Sequence, residues 1–427
     1  MDLLIRQAHV IDPKNNRDEV CDIRIKKGKI NQIGKSLDPT AEEEVIEAKG
    51  YHLFPGLIDL HAHFREPGFE GKETIRTGSE AALKGGFVAV VTMPNTKPAA
   101  DNPGVIDIIM RKAQEVPFTI YPCGTISKGR EGKELSEMAD LKLAGIVAVS
   151  DDGDWVMDSL LMRRAMEYAS MFDLIVISHP EDKLLTAGGV MNEGLSSTRL
   201  GLKGIPKASE EIAVARDIEL ARLCGGHLHL CHVSTARSVE LIRRAKEEGI
   251  HVTADVTPHN LTLTDEGAEG YNTNFKMYPP LREKEDLEAL TKALKDGVVD
   301  CVATDHAPHT PEDKMREFDQ APMGVIGLET ALGVMLTEFY HGVKWPLQDI
   351  VRVMSQRPAE ILKLNSGFGS IDKGKEANVT LVDVQRKWTV TPQEFRSKSR
   401  NSCFLKRELQ GKVLATVCRG KLWKFEA

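Results

Sequence analysis

After about residue 50 the chain alternates short apolar, β-rich runs with longer helical patterns. This alternation is typical of repeated βα units around a parallel sheet. Eight such runs can be counted, and eight parallel strands are the number that closes a (β/α)8 barrel. The runs are LFPGLIDLHAHF from 53, VAVVTMP from 88, TIYPCGT from 119, IVAVSDD from 146, LIVISHP from 174, HLHLCHVS from 227, HVTADVTPH from 251 and VDCVATDHAPH from 299. We therefore predict a TIM-like α/β barrel.

The two ends of the chain follow a different pattern, because their residues alternate like those of half-solvated antiparallel strands. The segments are DLLIRQAHVID, DIRIKKGKINQIG and EEVIEAKGYH before the barrel, and ANVTLVDVQRKWTV and KVLATVCRGKLWKF after it. Neither end alone makes a good sheet. Since the termini of a barrel can meet in space, we expect residues 1–52 and 366–427 to form one small composite β-domain beside a catalytic barrel of residues 53–365.

Composition excludes several classes of partner and location. With 41% hydrophobic residues, 28% charged residues and a net charge of -7, the chain has no electrostatic attraction for nucleic acid or anionic lipid. The seven cysteines are scattered and never form a CxxC pair, which argues against a disulfide framework or a zinc ribbon and favours a reducing cytoplasm. The first apolar run is too short for a signal peptide, and no stretch approaches the ~20 apolar residues of a membrane span.

Histidine, aspartate, arginine and asparagine residues gather at the C-terminal ends of the predicted strands. Barrel enzymes place their catalytic groups at that end. His61 and His63 end the first run, and because side chains alternate along a strand, a His-x-His pair points both imidazoles to the same side. The pair alone is weak evidence, since HLH at 227–229 has the same spacing. Its value depends on what the other strands carry.

Further candidate metal ligands end four other strands. They are Asp151 or Asp152 on the fourth, His179 on the fifth, His232 on the sixth and Asp305 on the eighth. Imidazole and carboxylate ligands suit zinc or a similar divalent ion. Strand ends that carry such residues together predict one or two metal ions at the mouth of the barrel.

The remaining histidines are expected to have other roles. His227 and His229 lie earlier in the sixth run than His232, which favours packed or supporting side chains. His306 follows the strand-ending aspartate and is expected to point away from it, whereas His309 lies on the adjoining loop and could reach an anionic substrate. Four histidines off the predicted rim are expected to be structural: His9, His52, His251 and His341.

Five segments of the sequence resemble class I dihydroorotases, a branch of the amidohydrolase superfamily. They are PGLIDLHAHFREPG (55–68), TMPNTKPAADN (92–102), DDG (151–153), MNEG (191–194) and ATDHAPH (303–309). ATDHAPH and HAHFREPG are shared with allantoinases and hydantoinases, and the DDG and MNEG segments narrow the resemblance to the dihydroorotase branch. It implies the reversible cyclisation of N-carbamoyl-L-aspartate to L-dihydroorotate with release of water, the third step of de novo pyrimidine biosynthesis.

The resemblance implies how the candidate ligands would be divided between two zinc ions: His61, His63 and Asp305 at one, His179 and His232 at the other, and an aspartate of the DDG segment between them. The spacing to His179 favours Asp152 over Asp151 as that bridge. Many relatives bridge their metals with a carboxylated lysine at the end of the fourth strand, but IVAVSDD contains no lysine. Asp305 is also the implied general base and acid.

The substrate contacts that the resemblance implies are His63, Arg65, Asn95, His309, Met323 and Gly324. Arg65 suits a substrate carboxylate because its planar fork binds carboxylates bidentately. The alternatives are a salt bridge at the barrel rim for Arg65 and a turn-forming role for Asn95. Family members often read NPPLR, with a substrate-binding asparagine, where this chain has YPPLR. Tyr278 is larger and cannot offer the paired donor and acceptor of an amide, so we do not count it as a site residue.

Two alternatives remain open on the sequence. An allantoinase or hydantoinase shares the barrel and the His-x-His pair but usually has the bridging lysine. A catalytically inactive dihydroorotase-like scaffold for aspartate carbamoyltransferase would lose metal ligands, whereas this chain retains every candidate. The partners considered are therefore a small-molecule substrate, an aspartate carbamoyltransferase and further copies of the chain.

Overall fold

The computed structural model of the protein describes residues 1–364 and 367–425. Its central feature is a sheet of eight parallel strands whose spatial order follows their order in the chain. The strands are Leu57–Ala62, Phe87–Thr92, Thr119–Gly124, Ala148–Val149, Ile175–Ser178, Leu228–Leu230, Val252–Val256 and Cys301–Val302. A parallel bridge between Ala62 and His306 brings the first strand beside the segment that follows the eighth. The predicted (β/α)8 barrel is confirmed.

Helices connect the strands and cover the outside of the barrel. The longer α-helices are Ile75–Lys84, Pro103–Gln114, Met138–Ala144, Ser159–Met171, Ala208–Cys224, Ala236–Glu247 and Lys284–Asp296. The shorter ones are Lys183–Thr186, Leu195–Leu200, Pro258–Thr262, Pro311–Lys314, Ala331–Met335, Leu347–Val351 and Arg357–Ile361, with π-helical turns at Leu336–Gly342 and Arg352–Gln356. Local sequence fixes several starts: Asn102 caps the helix that begins with Pro103, and Asp158 and Thr235 cap later ones through their side chains.

The barrel strands are buried on both faces, which explains why they read as continuous apolar runs. All six residues of Leu57–Ala62 and all six of Phe87–Thr92 are buried. The side chains of the interior and those beneath the helices form one large apolar core. Polar residues are therefore tolerated mainly where the strands end.

Strands from the two ends of the chain form a second, eight-stranded sheet. They are Leu3–Asp12, Arg17–Lys26, Lys29–Gly34, Glu44–Glu47 and His52–Pro55 from the first end, and Val379–Thr389, Glu408–Cys418 and Lys421–Lys424 from the second. His52–Pro55 joins the ends, because it pairs antiparallel with Val379–Thr389 and parallel with Leu3–Asp12. The composite β-domain is confirmed, and most of its pairs are antiparallel as the alternation indicated, although Glu44–Glu47 and His52–Pro55 run parallel to Leu3–Asp12.

The two boundaries proposed between the units can be compared with the strands of this sheet. The first predicted run is divided in the structure, because His52–Pro55 belongs to the composite sheet and Leu57–Ala62 to the barrel. The proposed boundary after residue 52 therefore falls inside a strand. The boundary between residues 365 and 366 lies outside the described residues. The division into a composite β-domain and a catalytic barrel domain stays our proposal.

Two further features concern the whole chain. All seven cysteines lie in the described part and are free thiols. Within that part, no helix combines the length and the apolar character needed to cross a membrane.

Candidate metal centre and active site

The barrel brings the predicted ligands together at the carboxyl ends of its strands, where they are buried: His61, His63, Asp152, His179, His232 and Asp305. Five of them, all except His61, line a cavity of about 190 Å³. The cavity is lined by His63, Arg65, Asn95, Asp152, Gly153, His179, His232, Tyr278, Asp305, Ala307, His309, Met323 and Gly324. Every residue predicted to contact substrate is in this lining, and no lysine is.

Asp152 lies at the centre of the cluster. Its Oδ1 is 3.2 Å from His61 Nε2, 3.4 Å from His179 Nδ1 and 3.8 Å from His232 Nε2. Its Oδ2 is 3.5 Å from His63 Nε2. Burial alone would raise the pKa of Asp152, but the neighbouring histidines hold it well below its usual range. One carboxylate therefore contacts all four imidazoles.

The neighbouring Asp151 points elsewhere. Its Oδ1 accepts hydrogen bonds from the backbone N–H of Ile126 at 2.8 Å and of Ser127 at 3.0 Å, and its Oδ2 accepts one from the Ser127 hydroxyl. These bonds hold the 126–127 turn against the end of the fourth strand. The geometry favours Asp152 as the ligand, in agreement with the spacing argument, and metal binding by Asp152 stays a prediction.

Asp305 forms the other acidic side of the cluster. Its Oδ1 is 3.1 Å from His63 Nε2 and 3.6 Å from His61 Nε2. Burial opposes ionisation, but the neighbouring imidazoles of His63 and His61 lower the pKa of Asp305 below its ordinary value. The carboxylate is therefore ionised at neutral pH and faces the cavity as a proton acceptor.

Three site residues have left-handed backbone conformations that only glycine adopts without strain: Arg65 with φ 61°, His232 with φ 38° and Asp305 with φ 46°. Such conformations cost about 1–3 kcal/mol each and persist where the surroundings enforce them. Two buried aspartates beneath the site hold the backbone at His232 and next to Asp305. Asp255 accepts the backbone N–H of His232 at 2.7 Å, and Asp59 accepts that of Thr304, next to Asp305, at 2.9 Å.

The donor set fits a divalent metal ion. His61 has no hydrogen-bond partner on either ring nitrogen among the described residues, and neither Asp152 Oδ1 nor His232 Nδ1 has one. Ligand atoms of two groups lie within 4.8 Å of one another: His61, Asp152, Cys231 and His232 in one, and His61, His63 and Asp305 in the other. Buried polar atoms without partners are costly unless an ion occupies the space between them. The arrangement therefore has the chemistry of a metal site with nitrogen and oxygen ligands.

Cys231 was not singled out from the sequence, and its position next to His232 was the only available signal. Its Sγ donates to the backbone carbonyl of Ser178 at 3.1 Å, and burial raises the pKa of the Cys231 thiol well above its usual value. Its thiol is therefore hydrogen-bonded to the end of the neighbouring strand and packs beneath the site.

Asn95 supports the metal site directly. Its Oδ1 is 2.9 Å from His63 Nδ1, and its Nδ2 donates to Asp152 Oδ2 at 3.4 Å. Because the amide oxygen can only accept, His63 carries its proton on Nδ1 and presents Nε2 to Asp305 and to a metal. Asn95 also lines the cavity, so the predicted substrate contact is compatible with this supporting role.

Arg65 lines the cavity with most of its guanidinium unpaired in the described chain. Its Nε donates to the Pro308 carbonyl at 3.3 Å, and its two terminal nitrogens have no protein partner among the described residues. Burial lowers the pKa of Arg65 to about 10, which leaves the side chain charged at neutral pH. The alternative of a rim salt bridge finds no support, since no carboxylate in the described chain lies within 4 Å of the guanidinium.

His309 lines the same cavity as Arg65, and both of its ring nitrogens form hydrogen bonds. Nε2 is 2.7 Å from the Met323 carbonyl and therefore donates to it, while Nδ1 accepts from Lys72 at 3.2 Å. Burial and the charges of Arg65 and Lys72 lower the pKa of His309 to about 2, so the ring is neutral. His309 contacts an anion only by giving up one of these two bonds.

Gly324 completes this wall and cannot be replaced without strain. Its φ is 117°, and a Cβ there would lie 2.6 Å from Ala307 Cβ and 3.3 Å from His309 Nε2. A side chain would therefore push the turn away from the end of the eighth strand. The backbone of Met323 and Gly324 stands next to the cavity because this position is glycine.

Tyr278 lines the cavity although we did not count it as a site residue. Its ring centroid lies 5.4 Å from that of His179, and its hydroxyl donates to Thr186 Oγ1 at 3.2 Å. Burial and the charge of Glu181 raise the pKa of Tyr278, so the phenol is neutral. The tyrosine forms part of the cavity wall where the resembling sequences have a smaller amide.

His227, His229 and His306 lie away from the cavity lining, in line with their expected supporting roles. His229 Nε2 is 2.9 Å from Asp255 Oδ2, and the ring of His227 stacks on His251 at 4.0 Å away from the site. His306 points away from the metal cluster, with Nε2 3.3 Å from Glu73. These rings brace the strands that carry the candidate ligands.

A parallel eight-stranded barrel with four histidines and two aspartates at its strand ends defines a hydrolase of the amidohydrolase superfamily. A family model described as dihydro-orotase-like matches residues 50–238. The chain is 50% identical over 423 residues to a dihydroorotase of Pelotomaculum thermopropionicum, covering 99% of this chain and 98% of the relative. It is 48% identical over 423 residues to a dihydroorotase of Trichlorobacter lovleyi, covering 99% of both. The chain belongs to the dihydroorotase family.

Solved structures support the fold. L-Hydantoinase (dihydropyrimidinase) from Arthrobacter aurescens superimposes with a TM-score of 0.89 at 24% identity, covering 100% of this chain and 97% of that one. At this level of identity the likeness concerns the fold alone. It gives no preference to the hydantoinase alternative over the family to which the sequence relatives belong.

Proposed function

We propose that this member of the dihydroorotase family binds one or two zinc ions at its strand ends and interconverts N-carbamoyl-L-aspartate and L-dihydroorotate there. One observation carries the proposal: the imidazole and carboxylate cluster around Asp152 faces the same cavity as the terminal guanidinium nitrogens of Arg65. The cluster suits a divalent metal. The guanidinium suits the carboxylate that distinguishes dihydroorotate from a simple cyclic amide.

The proposed zinc ligands are His61, His63, Asp152, His179, His232 and Asp305. When bound, zinc lowers the pKa of water from 15.7 toward about 7 and polarises a carbonyl group. Among the described residues no lysine lines the cavity, so Asp152 would hold the metal in place of a carboxylated lysine, and no carbon dioxide adduct would be required.

Asp305 is the proposed general base and acid. Its ionised carboxylate, held beside His63, is placed to take a proton from the attacking water and to pass it to the ring nitrogen that leaves. In ring closure the same carboxyl group moves the proton in the opposite direction. His63, fixed by Asn95, keeps Asp305 in position during both transfers.

The proposed substrate clamp lines the same cavity as the metal ligands. Arg65 binds the α-carboxylate through its two terminal nitrogens, and Asn95, His309 and the backbone of Met323 and Gly324 complete the wall around it. Because the charge is fixed by the guanidinium, the clamp orients the ring amide toward Asp305. Orientation of this kind accounts for much of the rate that barrel enzymes obtain.

Other assignments also remain proposals: membership of the class I branch, a cytoplasmic location, homo-oligomerisation and association with an aspartate carbamoyltransferase. The inactive-scaffold alternative has no support in the site, since every candidate ligand is present and faces the cavity or the cluster.

The experiment that tests the proposal is turnover of L-dihydroorotate by the purified protein, with bound metal counted in parallel. In metal-matched Asp305→Asn protein, ring opening and ring closure should both fall by about 10²–10⁴, because an amide cannot take the proton. The two rates must fall together, since the equilibrium constant belongs to the substrates. Retention of more than a tenth of wild-type activity in either direction would show that Asp305 is at most a ligand.

A further inference from the structure

Two buried polar side chains stand behind the cavity wall formed by His309 and the Met323–Gly324 turn. They are Lys314, which is 8% exposed, and Asn401, which is 5% exposed. Neither lines the cavity. Both side chains form hydrogen bonds to the backbone of that wall. Burial of an ammonium and an amide in this way is unusual.

Lys314 ends the short helix Pro311–Lys314 and points back beneath the loop. Its Nζ donates to the carbonyls of Pro322 and Gly324, each at 3.0 Å, and of Lys276 at 3.4 Å. An ammonium has three donors, and three carbonyls accept them. Lys314 thereby ties the turn to the segment that leads into Tyr278.

Asn401 reaches the same turn from outside the barrel, from the segment between the composite-sheet strands Val379–Thr389 and Glu408–Cys418. Its Oδ1 accepts the backbone N–H of His309 at 3.2 Å. Its Nδ2 donates to the carbonyls of Ala307 and Gly324, each at 3.1 Å. One amide therefore joins the end of the eighth barrel strand to the turn across from it.

Removing either side chain would leave buried backbone groups without partners. Burying an ammonium is costly, and a structural role alone would be met at lower cost by an apolar side chain. The carbonyl of Gly324 accepts from both residues, so the two sets of bonds meet at the turn that borders the cavity. Because hydrogen bonds are directional, they fix the position of the wall more narrowly than apolar packing would.

We propose that Lys314 and Asn401 are positioning residues, which hold His309 and the Met323–Gly324 turn where they bind the substrate carboxylate. The proposal rests on the proposed function for the identity of that ligand. Its physical basis is that a displacement of about 1 Å in a positioning group can cost about a hundredfold in rate.

The test uses Lys314→Met and Asn401→Leu, which keep the approximate size of each side chain and remove its hydrogen bonds. Asn378→Leu is the matched control, because Asn378 is equally buried and bonds the backbone of Gly367 and Arg419 in the composite sheet. The readouts are kcat and KM for L-dihydroorotate, bound metal, and amide hydrogen exchange of residues 309–324.

We expect both test variants to raise KM by about ten- to a hundredfold with a smaller change in kcat and unchanged metal content. Exchange in 309–324 should become faster in both, and neither effect should appear in the control. Unchanged KM and unchanged exchange in the test variants would overturn the proposal, and so would equal effects in the control. If Lys314→Met does not fold, Lys314→Gln, which keeps two donors, takes its place.

The assignment of Arg65 to the substrate carboxylate and the positioning role of Lys314 and Asn401 can be disproved independently. If Arg65→Met leaves the KM for dihydroorotate unchanged, the assigned ligand is wrong, and faster exchange in the Lys314 and Asn401 variants would still support their hold on the loop. If Arg65→Met raises KM but the two test variants do not, the clamp stands and the positioning proposal falls.

Discussion

Asp151 and Asp152 are adjacent in sequence, but their side chains contact different groups. Replacing each by alanine should therefore separate the effect on metal binding from the effect on stability. Asp152→Ala should lose most of the bound metal and of the activity, because that carboxylate lies within 3.8 Å of all four histidines. Asp151→Ala should keep most of both, because its oxygens bond only the 126–127 turn.

The cost of Asp151→Ala follows from what it leaves behind. The change removes three hydrogen bonds to a buried carboxylate and leaves the amides of Ile126 and Ser127 without their acceptor. A hydrogen bond to a charged group contributes about 1.5–3 kcal/mol, and bonds that share a partner do not add in full. We expect a total loss of about 2–4 kcal/mol, visible as a Tm lower by several degrees.

The assay has two parts, carried out on the same preparations. Metal content is measured by atomic emission after dialysis, and thermal melts are recorded on chelator-treated protein so that metal does not contribute to the Tm. Asp152→Ala should differ from wild type in the first measurement and Asp151→Ala in the second. If Asp151→Ala loses the metal and Asp152→Ala retains it, the fourth strand ends one residue earlier than argued and the assignment is wrong.

Three further predictions follow from the cavity wall. Arg65→Met should lower kcat/KM for dihydroorotate by about ten- to a hundredfold, equivalent to about 1.5–3 kcal/mol, and should spare dihydrouracil, which lacks the carboxylate; equal loss for both substrates would contradict the clamp. Tyr278→Phe removes the hydroxyl that bonds Thr186 and should raise KM by about two- to tenfold, whereas an unchanged KM would show that the hydroxyl does not contribute to substrate binding. Gly324→Ala should raise KM far more than Gly270→Ala, whose φ of 79° is also positive but whose Cβ would meet nothing within 4 Å.

Much of the fold was predictable because its strongest signals are local. Eight apolar runs separated by helical patterns give the barrel, and the ligand types at the ends of those runs give the site, since parallel strands end on one face. The position of Asp59 could have been recognised too, because it precedes His61 and His63 with the same two-residue period. An alternating sequence pattern does not show whether two strands pair parallel or antiparallel. The parallel pairing of Leu3–Asp12 was missed for that reason.

The supporting residues of the site were not predictable from the sequence. Asn401 lies 92 residues from His309 along the chain, and no motif marks it. Lys314 looks like a surface residue of a charged loop segment, yet three carbonyls brought together by the fold bury it. Tyr278 was set aside as a departure from a motif, whereas the structure places its ring in the cavity wall. Each of these depends on contacts that only the completed barrel creates.

The pairing of His52–Pro55 with Val379–Thr389 has a consequence for synthesis on the ribosome. At about 5–20 residues per second, the growing chain needs roughly 15–65 s between making the first of these strands and making the second. During that interval the earlier strand has an open hydrogen-bonding edge, of the kind that recruits other chains. The barrel, which follows this strand in the chain, can assemble during that interval. The nascent protein then has its barrel, with the candidate site, while the composite sheet is still incomplete. Aggregation during translation is therefore expected mainly at that edge. A chaperone that covers the edge would act before the last strands emerge from the ribosome.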